Sequence, residues 1–211
     1  MKNKYAGHSD KELVELFGGA EAEAAFTEIY RRYSSNIHAY CLRILNDELA
    51  AEDIFQETFI RFYQNIKIDN QTTNVPGFLI TIARNLCLNY KRDRRQMVSI
   101  EDIDFQVKPN EVYEKEELLD LITRALDLLE LQQRELFVLR EYYGMPYKDI
   151  SDLTGISVAS AKSKVFRAKH KIKNILAPYL KDLYQWFIEC CKFFYKISSI
   201  INYLKLWKNT K

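Results

Sequence analysis

Two runs of cationic and amide side chains are the residues of this chain best suited to chemistry, and that chemistry is contact with a polyanion. Between Arg84 and Arg95 there are five basic residues and one acid, Asp93. At 100° per residue, Arg84, Asn85, Asn89, Lys91, Arg92 and Arg95 fall in an arc of about 160°. Leu79, Ile82, Ala83, Leu86 and Tyr90 occupy the other side, and only Leu88 intrudes on the polar arc. A solvated helix face ordinarily mixes signs, so this bias favours a nucleic acid or a similar surface. The second run is Lys162, Lys164, Arg167, Lys169, Lys171 and Lys173, with no acid among them. Behind it, Ala161, Val165, Ala168 and Ile172 share a stripe about 60° wide, small enough for close packing on a preceding helix.

The segment from Tyr147 to Lys162 explains how that second run would be presented. It reads as a short helix, a turn at Gly155 and a second helix capped by Ser157, the spacing of a helix-turn-helix. Ser160, Lys162, Ser163 and Lys164 would then reach base edges, while Arg167 and Lys171 would hold phosphates. Phe166 projects from the middle of the basic surface. It is either a second core contact or an apolar reader of thymine methyl groups.

Other chemistries find little support. The chain has no GxxxxGK[ST], HExxH, GxSxG or GxGxxG motif, and His8, His38 and His170 are far apart in sequence. No catalytic residue, metal site or cofactor is therefore expected. His38 and Cys41 have metal-ligand spacing but lack a second pair, so a structural role is expected. Cys41, Cys87, Cys190 and Cys191 read as reduced thiols of a cytoplasmic protein. No leader-like apolar run follows the N-terminal lysines, and no 18-residue apolar span occurs.

The elements that position these faces are helices. Six glycines and four prolines in 211 residues are too few for a turn-rich sandwich or barrel. A hydrophobic share of 47% is ample for a packed core. Ser9 and Glu12 form a capping box opening a short helix that stops at Gly18-Gly19. A second helix spans about 20–45, with Phe26, Ile29, Tyr30, Tyr33, Ile37 and Tyr40 near one face, and Asn46-Asp47 breaks it. A third, about 48–66, carries Phe55, Phe59, Phe62 and Ile66 at 4-3-4 spacing. A loop through Pro76-Gly77 precedes a fourth helix from near Phe78 to Arg95. Residues 96–116 lose periodicity and are acidic, as expected of a linker. Helices then recur over Leu118–Leu129, Leu136–Tyr143, Tyr147–Thr154 and Val158–Leu176. The expected fold class is all-α: domains at 1–95 and 117–177, a linker at 96–116 and a C-terminal extension at 178–211.

Two DNA-facing helical modules on either side of an acidic linker resemble bacterial RNA polymerase sigma factors of the extracytoplasmic-function (ECF) type. Asp47-Glu-Leu-Ala-Ala-Glu-Asp-Ile-Phe-Gln-Glu-Thr-Phe-Ile-Arg-Phe-Tyr63 is similar to the core-binding helix of that family. Phe78-Leu-Ile-Thr-Ile-Ala-Arg-Asn-Leu-Cys-Leu-Asn-Tyr-Lys-Arg92 is similar to its minus-ten-reading and melting helix, and the helix-turn-helix to its minus-thirty-five reader. The resemblance covers about residues 9–176. It implies a promoter-specificity factor whose partners are core RNA polymerase, promoter DNA (duplex and melted) and an anti-sigma factor. It implies that Asp53, Gln56, Glu57 and Ile60, at i, i+3, i+4 and i+7, dock on polymerase. It further implies that Asn85 and the 69–75 loop capture a flipped base, whose pairing edge an amide can bond. Phe78 stands where many relatives have Trp, and Ala161 and Lys164 replace the commoner Val and Arg. Lysine lacks the bidentate fork of arginine, so a different base preference is expected. The family's usual proline near Leu131 is absent. The competing reading is a stand-alone helix-turn-helix regulator.

The extension beyond Pro178 lies outside the resemblance. Leu183, Phe187, Cys190, Phe194, Ile197, Ile201 and Leu204 follow a heptad seam, with Trp186, Phe193, Ile200 and Trp207 in a row beside it. Six lysines and two acids in 181–211 give it a local charge of +4. An amphipathic helix of this kind docks on the protein itself, on a partner, or, less favoured, on an anionic membrane surface.

Overall fold

The computed structural model describes residues 4–68, 74–95 and 115–177. The expected linker up to residue 114, most of the 69–75 loop and the extension from 178 onward lie outside the described residues. The chain divides into two units, Met1–Asp102 and Ile103–Lys211. Among the described residues every regular element is helical, so the fold is all-α as composition leads one to expect.

The first unit holds α1 (Asp10–Glu15), α2 (Ala22–Leu45), α3 (Glu48–Ile68) and α4 (Val75–Arg95). The capping box is present: Ser9 N donates to Glu12 Oε2 at 2.6 Å, and Glu12 N donates to Ser9 Oγ at 3.3 Å. A 3₁₀ turn, Leu16–Gly18, then delivers Phe17 into the core. α2 ends at Asn46, whose φ of 51° is a left-handed cap that asparagine tolerates better than most residues. The core is Leu13, Val14, Ile29, Ile37 and Tyr40 against Phe55, Phe59, Phe62, Ile66, Leu79 and Ala83. Tyr30 departs from the expected core face and is exposed. Arg32 ties the N-terminal arm down, donating to the carbonyls of Tyr5, Ala6 and His8 and pairing with Asp10 and Glu28.

α4 begins three residues earlier than the sequence suggests, because Pro76 and Gly77 lie in its first turn. The N–H that proline lacks would have no intrahelical partner there. Asn74 caps the turn, accepting from Gly77 N through Oδ1 at 3.0 Å and from Phe78 N through its carbonyl at 3.0 Å.

The second unit holds α5 (Lys115–Asp127), α6 (Leu131–Phe137), α7 (Tyr147–Thr154) and α8 (Val158–Leu176). α5 opens within the last residues of the expected linker. A wide π turn, Val138–Tyr142, continues α6 and is closed by Tyr143 N donating to Val138 O at 3.3 Å. Gly144 (φ 64°) and Gly155 (φ 72°) end the π turn and α7 in the left-handed region that glycine enters without strain. Leu121, Ala125, Leu126, Leu136, Phe137, Val138 and Ile150 are buried, as are Ala161, Val165, Ala168 and Ile172 of α8.

Candidate nucleic-acid and protein interfaces

The backbone of α8 is set by its cap: Ser157 Oγ accepts from Ser160 N at 3.3 Å, satisfying one orphan donor of the first turn. With the alanine stripe buried, the opposite side is left outside. Lys162, Ser163, Phe166, Arg167 and Lys171 are exposed, and Ser160 and Lys164 are half-buried. Arg167 Nη2 donates to Ser163 Oγ at 3.2 Å, which joins two of the expected DNA contacts into one polar unit. Phe166 is 55% exposed and tilts against His170, with ring centroids 5.1 Å apart. Of its two readings, the core contact is therefore not what this side chain does. Lys171 Nζ reaches Leu128 O at 2.5 Å, and Lys169 pairs with Glu141 at 2.8 Å, so part of the cationic row is engaged within the unit.

Tyr147, at the start of α7, carries a second polar focus. The Arg140 guanidinium lies 4.7 Å and the Lys162 ammonium 5.8 Å from its ring centroid. Burial pushes the Tyr147 phenol above its ordinary value. It stays neutral, and its ring face attracts both cations.

On α4, Asn85, Asn89 and Arg92 are exposed and share an arc of about 60°. Arg84 is half-buried beside them, and Arg95 is the last residue of the helix. Lys91 is not brought to that row: its ammonium donates to Leu45 O at 2.7 Å, at the C-terminus of α2. There it caps an orphan carbonyl and meets the negative end of the helix dipole.

On α3, the buried phenylalanines face inward, and Asp53, Gln56 and Ile60 are exposed while Glu57 is half-buried. Ile60 is 51% exposed. Gln56 Nε2 donates to Glu52 Oε1 at 2.9 Å, and Glu57 pairs with Arg61 at 2.6 Å. One residue of this row was not singled out from the sequence. Leu49 is 81% exposed and lies within about 60° of Asp53, Gln56 and Ile60. The row is apolar at both ends and polar in the middle. Cys41 is buried, and His38 faces Glu52 at 3.2 Å and the Phe55 ring.

Comparison with known proteins matches these units to a family. Residues 29–97 match the family model of Sigma-70 region 2, and residues 119–172 match Sigma-70, region 4. The ECF RNA polymerase sigma factor SigM of Bacillus subtilis is 31% identical over 152 residues, covering 70% of this chain and 93% of that protein. This chain belongs to the ECF sigma factors. SigE of Mycolicibacterium smegmatis, another of them, is 26% identical over 180 residues, 82% of this chain and 70% of its own length. Among solved structures, the sigma factor RpoE of Bartonella quintana, in complex with the anti-sigma factor NepR, has a TM-score of 0.60 at 23% identity. It covers 72% of this chain and 96% of its own. CnrH, in complex with the cytosolic domain of CnrY, has a TM-score of 0.60 at 20% identity, covering 80% and 97%. Both share the fold of this sigma factor.

Sequence reasoning about this sigma factor missed Leu49, Tyr147 and Arg94. Leu49 could have been found by extending the Asp53/Gln56/Ile60 row one turn back. Arg94 pairs with Asp47 at 2.6 Å, and no local spacing signals a partner 47 residues away.

Proposed function

We propose that this sigma factor docks on core RNA polymerase through the α3 row of Leu49, Asp53, Gln56, Glu57 and Ile60. Its α4 reads and melts the minus-ten region, and α8 grips the minus-thirty-five duplex. The observation that carries the reading is the shared geometry of α4 and α8. Each buries an apolar stripe and turns a row of amides, hydroxyls and cations outward, and the exposed α3 row is available to a third partner.

The division of labour follows from side-chain chemistry. Arg167 neutralises phosphate and holds register on the duplex, and Lys164 reaches a base edge. Ser163, Lys162 and Phe166 reach into the major groove, where hydroxyl and ammonium groups bond base edges and the ring meets thymine methyls. Asn85 and Asn89 offer paired donor and acceptor groups to the edge of an unpaired base, with Arg84, Arg92 and Arg95 beside the backbone. Energy of binding the displaced strand favours the open state, and polymerase supplies the chemistry of synthesis. The chain acts as a binding factor in the cytoplasm, and an anti-sigma protein is a partner of the class its relatives take. Among the described residues no helix is long and apolar enough to cross a membrane.

Selection of genomic promoter fragments tests this reading. Core polymerase with the chain should enrich a discrete set, while the chain alone and the Asp53/Gln56/Glu57→Ala variant with core should not. Equal enrichment by the chain alone would overturn it in favour of a stand-alone regulator.

A further inference from the structure

Eight residues of α4 extend past Cys87, the last fully buried side chain among those described on the helix, a projection of about 12 Å. Hydrophobic packing therefore fixes the first half of the helix, and its last two turns need another restraint. The structure supplies one at the corner between α2 and α3. Asp47 Oδ2 accepts from Arg94 Nη1 at 2.6 Å and from the Tyr90 hydroxyl at 3.2 Å. Arg94 Nη1 also bonds the Tyr90 oxygen at 3.1 Å, and Lys91 Nζ bonds Leu45 O at 2.7 Å. The other Asp47 oxygen, Oδ1, accepts from Ala50 N at 3.1 Å and so caps the first turn of α3.

These contacts have a direction. Tyr90, Lys91 and Arg94 occupy an arc of about 100° on α4, and Asn85, Asn89 and Arg92 occupy one of about 60° centred on the opposite side. Holding the first set against the corner turns the second set outward. We infer that Asp47 is a positioning residue for promoter opening, joining the N-terminus of the polymerase-docking helix to the end of the DNA-reading helix. Arg94 serves as its counter-ion and not as a phosphate contact. This rests on the proposed roles of α3 and α4. The same contacts, the Ala50 N–H first and Arg94 next, hold the Asp47 carboxyl below its ordinary value.

The test uses the full chain. Asp47→Asn retains an oxygen for Ala50 N–H but turns an amide donor or a neutral acceptor toward Arg94, and Arg94→Met removes the cation. In the free protein, amide hydrogen exchange over residues 88–95 should accelerate about two- to five-fold in each variant, with α1 and α2 unchanged. In holoenzyme, the lifetime of the open complex, read from permanganate-reactive thymines, should shorten by a similar factor. Affinity for core polymerase should stay within about two-fold, and the double variant should lose no more than either single one. Unchanged exchange over 88–95 overturns the positioning role regardless of what the chain does on DNA. Faster exchange with an unchanged open-complex lifetime overturns its link to opening. A wild-type holoenzyme that opens no promoter overturns the functional reading on which that link rests, and leaves the exchange arm to decide the restraint.

Discussion

Replacing Leu49 with alanine removes three carbons from a side chain that is 81% exposed on α3. In the free chain that group is mostly in water, so its loss creates no cavity, and alanine is the better helix former. Thermal stability should stay within about 2 °C or rise slightly. If Leu49 is buried on polymerase, each carbon withdrawn from water contributes about 0.8 kcal/mol. Scaled by the exposure of the free side chain, the loss is about 2 kcal/mol of binding, or about 30-fold in Kd. The assay is competition with a fluorescent sigma factor for core polymerase at fixed salt. Because the term is apolar, the ratio of variant to wild-type affinity should change little between low and high salt. Asp53→Ala, by contrast, should show a salt-dependent loss. A Leu49→Ala affinity within three-fold of wild type would show that Leu49 is not buried on polymerase, as would an equal loss that tracks a fall in Tm.

Phe166→Ala should leave stability unchanged and weaken binding to minus-thirty-five duplex; replacing the contacted thymine by deoxyuridine should cost wild type about four-fold and the variant nothing. Lys169→Met leaves the Glu141 carboxylate, 5% exposed, without its cation and should destabilise the second unit by about 3 kcal/mol; Glu141→Gln in the same chain should restore much of that, as read by urea unfolding. Glu12, bonded by Ser9, and Asp47, bonded by Ala50 N–H and Arg94, are held below their ordinary values. Their contributions are therefore complete above about pH 4.5 and are lost as pH falls through the depressed folded values, so the first unit should keep a flat Tm from pH 7 to about pH 5 and fall below it, less steeply in Glu12→Gln.

What could be read from the sequence was local. The buried stripe of α8 follows from Ala161, Val165, Ala168 and Ile172 at helical spacing, and the turn before it from Gly155 and Ser157, because caps and periodicity depend on neighbours a few residues apart. Pro76-Gly77 misled for a physical reason: the same residues that end helices are tolerated in a first turn, where a missing N–H costs nothing. The π turn at 138–142 left no mark, since one wider turn hardly alters the spacing of apolar residues. The destinations of cations were the least legible. Lys91, Lys169 and Lys171 counted toward basic faces and Arg94 only toward the basic run, yet each finds an acceptor, for three of them more than 40 residues away, fixed only by tertiary packing.

Run-off transcription of a promoter library from the source organism, with purified core polymerase, asks whether this chain directs initiation. Discrete new start sites should appear when the chain is added and vanish with Asp53/Gln56/Glu57→Ala. No new starts from a folded chain that still binds duplex DNA by itself would contradict that role.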